Sequence, residues 1–97
     1  MNPNDDIIKR LAARKNELRE FHVRSLAIFG STVRGDAGAD SDVDLLVDFN
    51  RPVDLIAFCE LEDFLAGVVG RKVDLVPRDS VKPLLRNRIF AEAVRVL

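Results

Sequence analysis

Five aspartates, Asp36, Asp40, Asp42, Asp44 and Asp48, crowd the stretch GSTVRGDAGADSDVDLLVDF that runs from Gly30 to Phe49. Carboxylates this close repel one another, and Asp is a poor strand former, so the run calls for a positive partner. A Walker-type phosphate loop is one chemistry to test. Gly30 and Gly35 have its spacing, but Asp36 and Ala37 stand where Lys and Ser or Thr are required. A carboxylate in place of the phosphate-binding ammonium reverses the local charge, which excludes it. A calcium loop is another. Asp40, Asp42 and Asp44 match its first, third and fifth ligands, yet its obligatory Gly is Leu45 and its closing Glu is Arg51. That reading fails as well.

A third reading uses the glycine turn and the acids together. In an extended chain Asp42 and Asp44 project from one face, so their carboxyl groups can converge on a pair of cations. Asp74, inside KVDLV, can join them from a neighbouring strand. Oxygen-only donors on rigid strands suit Mg²⁺, which completes its octahedron with phosphate oxygens and water. Two such ions about 3.5–4 Å apart activate an attacking oxygen and stabilise a leaving pyrophosphate. Gly30 and Ser31 are expected to open a short helical turn whose free N–H groups and hydroxyl face a triphosphate. Arg34, a turn further on, either adds positive charge to that anion or pairs with Asp36 or Asp40 at the surface. The ligand this describes is a metal-bound nucleoside triphosphate.

The elements that must position these groups follow from hydrophobic periodicity. Asn4 or Asp5 is expected to cap a helix along Ile7, Ile8, Leu11, Leu18 and Phe21, with His22 at its end. SLAIF (Ser25–Phe29) reads as a buried strand closed by Gly30. VDLLVDF (Val43–Phe49) alternates, with Val43, Leu45, Val47 and Phe49 on one face and Asp44, Leu46 and Asp48 on the other. Asp48 falls beyond the metals on this reading, and Asp36 and Asp40 are solvated loop acids. Pro52 precedes a helix along Leu55, Phe58, Leu61, Leu65 and Val68, stopped by Gly70. Cys59, beside Phe58, is assigned to the core. RKVDLVP (Arg71–Pro77) is a further strand, and Ser80 caps a last helix with the stripe Leu84, Leu85, Ile89, Ala93 and Val96; Pro83 is tolerated in its first turn. The helical crossover makes the second and third strands parallel. The expected fold is α/β, a three-stranded mixed sheet flanked by helices, in one domain over residues 1–97.

Composition agrees with a globular chain: of 97 residues, 47% are hydrophobic and 32% charged. Its 15 basic and 16 acidic side chains nearly cancel, so no basic field exists to hold a long nucleic acid. One cysteine excludes an internal disulfide framework and a thiolate zinc site. No apolar run approaches the roughly 20 residues of a membrane span, and the N-terminus lacks the apolar core of a secretory signal. A cytoplasmic protein is expected.

Gly30-Ser31, ten residues, then Asp42-x-Asp44, within GSxxRG[D/E]…SDxDLLV, resembles the DNA polymerase β-type nucleotidyltransferase superfamily, and more narrowly its minimal, one-domain prokaryotic members. The resemblance covers essentially the whole chain and includes the strand acid Asp74. It implies transfer of a nucleoside monophosphate, usually AMP from ATP, to an acceptor hydroxyl with two Mg²⁺ ions. By position, Asp42 and Asp44 bind both metals. Asp74 binds the catalytic metal and helps deprotonate the acceptor, and Gly30 and Ser31 hold the triphosphate. Many minimal members resemble antitoxins that silence a HEPN-type ribonuclease toxin by attaching AMP to a tyrosine, by binding it, or both. Transfer to RNA or a small molecule is the remaining alternative; such enzymes normally carry an added acceptor domain. A core this small offers little cleft, so a second chain in a homo- or hetero-oligomer is expected to complete the acceptor site.

Overall fold

A computed structural model describes residues 3–30, 33 and 42–97. In chain order these form α1 (Pro3–Ala12), α2 (Lys15–Glu20), β1 (Val23–Phe29), β2 (Val43–Phe49), α3 (Leu55–Val69), β3 (Val73–Pro77), a 3₁₀ turn (Arg78–Ser80), α4 (Pro83–Glu92) and β4 (Val94–Arg95). The sheet order is β3-β2-β1-β4. β2 runs antiparallel to β1 and parallel to β3, and β4 runs antiparallel to β1.

The alternation read in β2 places Val43, Leu45 and Val47 in the core. Their register partners, Ile28 and Leu26 on β1 and Val73 and Leu75 on β3, are buried on the same face. Against that face pack Ile7, Leu11 and Leu18 from α1 and α2, and Leu61, Leu65 and Val69 from α3. Arg10 clips two of these helices together, its guanidinium donating to the Val69 carbonyl at 3.2 Å while pairing with Asp6 at 3.1 Å.

α3 begins and ends as its punctuation demands. Asp54 is the N-cap, its side chain accepting from the Ala57 N–H at 2.7 Å, which satisfies one of the first turn's orphan donors. Gly70 ends the helix at φ 78°, a left-handed conformation that costs glycine nothing. Glu62 reaches from the same helix to accept the Leu75 N–H at 3.3 Å, tying α3 to the edge strand β3.

Several expectations need correction. The sheet has four strands rather than three, because the last helix stops at Glu92 and Val94–Arg95 turn back onto β1. Its stripe is therefore cut short, and Leu84 stands 97% exposed. Ser80 belongs to the 3₁₀ turn, and Lys82 is the N-cap, with Pro83 in the first turn as expected. The first helix is two helices, broken at Ala13–Arg14, and it starts at Pro3, so Asn4 and Asp5 fall inside its first turn. His22 lies in the turn after α2 at φ 66°, where its carbonyl accepts from the Asn50 N–H. Cys59 is exposed rather than core, since the buried line of α3 runs through Leu61, Leu65 and Val69. No helix among the described residues is long and apolar enough to cross a membrane.

Candidate active site

The face of the sheet opposite the core carries the acids. Asp44 is paired with Asp74 across the parallel β2–β3 ladder and with Phe29 across the antiparallel β1–β2 ladder. Residues directly opposite in a ladder share a face, with strands about 4.8 Å apart. Asp42 stands two residues before Asp44 at the mouth of β2, where the Val43 N–H bonds the Lys72 carbonyl at 2.9 Å. Asp42 and Asp44 are half-buried, whereas Asp74 is exposed. Asp48 lies four residues further along β2, paired with Arg24 at 3.7 Å.

Gly30 follows β1 directly and is buried at φ 79°. A Cβ built on it would overlap the Asp44 carboxylate, so the backbone and that carboxylate meet only because no side chain intervenes. The Gly30 carbonyl accepts from the N–H of Val33, a helical residue, at 3.1 Å. The Gly30 N–H is itself engaged, donating to Glu92 Oε1 at 3.0 Å.

Of the expected site residues, the fold brings Asp44 beside Asp74 and Gly30 against Asp44. Ser31 and Arg34, with Asp36 and Asp40, lie outside the described residues. Among those described, no three His, Cys, Asp or Glu side chains are gathered closely enough to hold a metal ion. The donor set is nonetheless all carboxylate oxygen, the set Mg²⁺ prefers, and the missing side chain at Gly30 is what lets the Asp44 carboxylate lie against the backbone there. Glu92 was not foreseen. It belongs to a helix whose pattern marks no site, and its contact with Gly30 spans 62 residues of sequence.

Two hollows flank this arrangement. One of about 500 Å³ shares the acids' face and is lined by Ala27, Leu46, Asp48, Phe90 and Arg95. Arg78, also on its wall, lies 4.8 Å from the centre of the Phe90 ring. The other, about 1040 Å³, opens at the far ends of β2 and β3 beside Phe49, Phe58 and Leu75, away from Asp42 and Asp44.

The nucleotidyltransferase domain family matches residues 8–96. This chain belongs to that family. It is 46% identical over 93 residues to the protein adenylyltransferase MntA of Thermococcus cleftensis, covering 95% of this chain and 94% of that one. Among solved structures, a minimal nucleotidyltransferase superposes with a TM-score of 0.78 at 32% identity, over 97% of this chain and 95% of the other. A toxin–antitoxin structure with AMP-PNP superposes with a TM-score of 0.71 at 28% identity, over 100% and 73%. The minimal nucleotidyltransferase reading of the Gly-Ser and Asp-x-Asp pattern therefore stands at the level of family, fold and enzyme class.

Proposed function

We propose that this nucleotidyltransferase transfers AMP from ATP to a hydroxyl on a partner protein and so acts as an antitoxin, its target being a tyrosine of a HEPN-type toxin. The register that sets Asp44 beside Asp74, with Gly30 cleared against the Asp44 carboxylate, carries this reading. Similarity to an MntA protein adenylyltransferase supports a protein acceptor, and the AMP-PNP of a toxin–antitoxin neighbour supports an adenine nucleotide and a toxin partner.

Asp42, Asp44 and Asp74 would hold two Mg²⁺ ions, which when bound supply positive charge to the triphosphate and lower the pKa of an oxygen nucleophile. The turn opened by Gly30 and Ser31 holds the triphosphate against β2, with Arg34 adding positive charge. Asp74, exposed at the edge strand, accepts the proton of the acceptor hydroxyl. The acceptor oxygen bonds to the α-phosphorus as the bond from that phosphorus to the β-phosphate bridge breaks, and pyrophosphate leaves.

The test is the doubly substituted Asp42→Asn, Asp44→Asn chain, assayed with ³²P-labelled ATP and the partner toxin. The substituted chain is expected to leave the toxin unlabelled and active. Neutralisation at equal dose without label would mean that binding alone silences the toxin. Label retained on RNA but not on protein would move the acceptor to RNA.

A further inference from the structure

The last residue of α4 is wired to the turn that opens the site. Glu92 Oε1 accepts the Gly30 N–H at 3.0 Å across 62 residues of sequence. The segment after it zips onto β1 immediately before Gly30. Ile28 pairs with Val94 and Ala27 with Arg95, and the Val96 and Leu97 N–H groups both bond the Leu26 carbonyl, at 2.8 and 3.1 Å. Glu92 is thus the end of a clasp that fixes the exit of β1. That exit is where Gly30 has no latitude: its φ is 79°, and the Asp44 carboxylate occupies the place of a side chain.

We infer that Glu92 is a positioning residue for nucleotide binding, holding the Gly30 peptide in the orientation that presents the following turn to the triphosphate. This rests on the nucleotide-binding role proposed for that turn. The hydrogen bond already engages the Gly30 N–H, so that donor is not open to the phosphates, and losing the bond would free the peptide to rotate beside the Asp44 carboxylate. At 3.0 Å the side-chain oxygen is within full hydrogen-bond reach of that N–H, and removing the acceptor would leave a buried donor unsatisfied. Its partner here lies in a different part of the sequence, so the orientation of the Gly30 N–H is set by a tertiary contact.

The contact and its consequence can be read separately. Amide hydrogen exchange at Gly30 reports the hydrogen bond, and titration with ATP and Mg²⁺ followed by calorimetry reports nucleotide affinity. Glu92→Gln keeps an oxygen acceptor at the same reach; Glu92→Asp keeps the charge but is one methylene short. Glu92→Gln is expected to preserve Gly30 protection and to leave ATP affinity within about twofold. Glu92→Asp and Glu92→Ala are expected to lose protection and weaken ATP binding by about tenfold, the scale of one lost protein hydrogen bond. In the labelled-transfer assay KM for ATP should rise more than kcat falls, and Glu92→Gln should restore it. Should Glu92→Asp keep full ATP affinity, or Glu92→Gln prove as weak as Glu92→Asp, the positioning role is overturned. The Gln–Asp pair decides this even where the alanine variant does not fold. A wild-type chain that takes up no ATP would instead overturn the nucleotide-binding role itself.

Discussion

A methyl group on Gly30 would collide with the Asp44 carboxylate, and φ of 79° disfavours any L side chain whatever the space around it. Gly30→Ala should therefore do two things at once. It should lower stability by about 1–3 kcal/mol, read from urea unfolding, and it should abolish nucleotide transfer, because relief of the clash displaces the carboxylate proposed to ligate metal. Activity retained at wild-type level would mean that the close approach is incidental. At this scale the sequence was informative where residue type alone carries the constraint. The strand's period of two put Asp44 on the face away from the core, opposite Val43 and Leu45. Residue type was less use for Cys59 and Glu92. A cysteine beside a phenylalanine looks apolar until the helix phase is known, and the partner of Glu92 lies too far away in sequence to be inferred.

Among the elements, α3 shows a local signal and a tertiary outcome in agreement. Asp54 and Gly70 bracket an apolar line that runs through Leu61, Leu65 and Val69. Removing the cap by Asp54→Ala should cost about 1 kcal/mol in urea unfolding and leave transfer unchanged, since the helix starts at the end of β2 remote from Asp42 and Asp44. Loss of transfer without loss of stability would instead implicate the hollow beside Phe58. The two ends of the chain were less legible. Ile7, Leu11 and Leu18 keep one helical phase through the break at Ala13–Arg14, where no proline or glycine announces a stop. Ala93 and Val96 fit a helical stripe as readily as a turn and strand. Hydrogen bonds to Leu26 decide in favour of the strand, and no local propensity encodes them. Leu84, in the first turn of that helix, stands 97% exposed although its spacing placed it on the apolar stripe.

Across the whole molecule, one sheet serves two purposes. Its inner face binds three helices through the buried residues of β1, β2 and β3, and its outer face carries the acids. The four-residue segment from Val94 to Leu97 covers the β1 edge, and Val96 and Leu97 pack against the core. Deleting those four residues should lower the unfolding midpoint and expose β1 as an unpaired edge, which promotes association between copies; size-exclusion chromatography with a thermal melt checks both. A deletion variant that melts with the wild type and elutes as one species would show that β4 is dispensable. The bond between Gly30 and Glu92, 62 residues apart, also bears on how the chain is made. On a ribosome, β1 and the glycine turn emerge long before their final partner. The contact between Gly30 and Glu92 therefore cannot form until Glu92 has cleared the exit tunnel, so the conformation of this glycine is set late, by sequence that follows it by 62 residues.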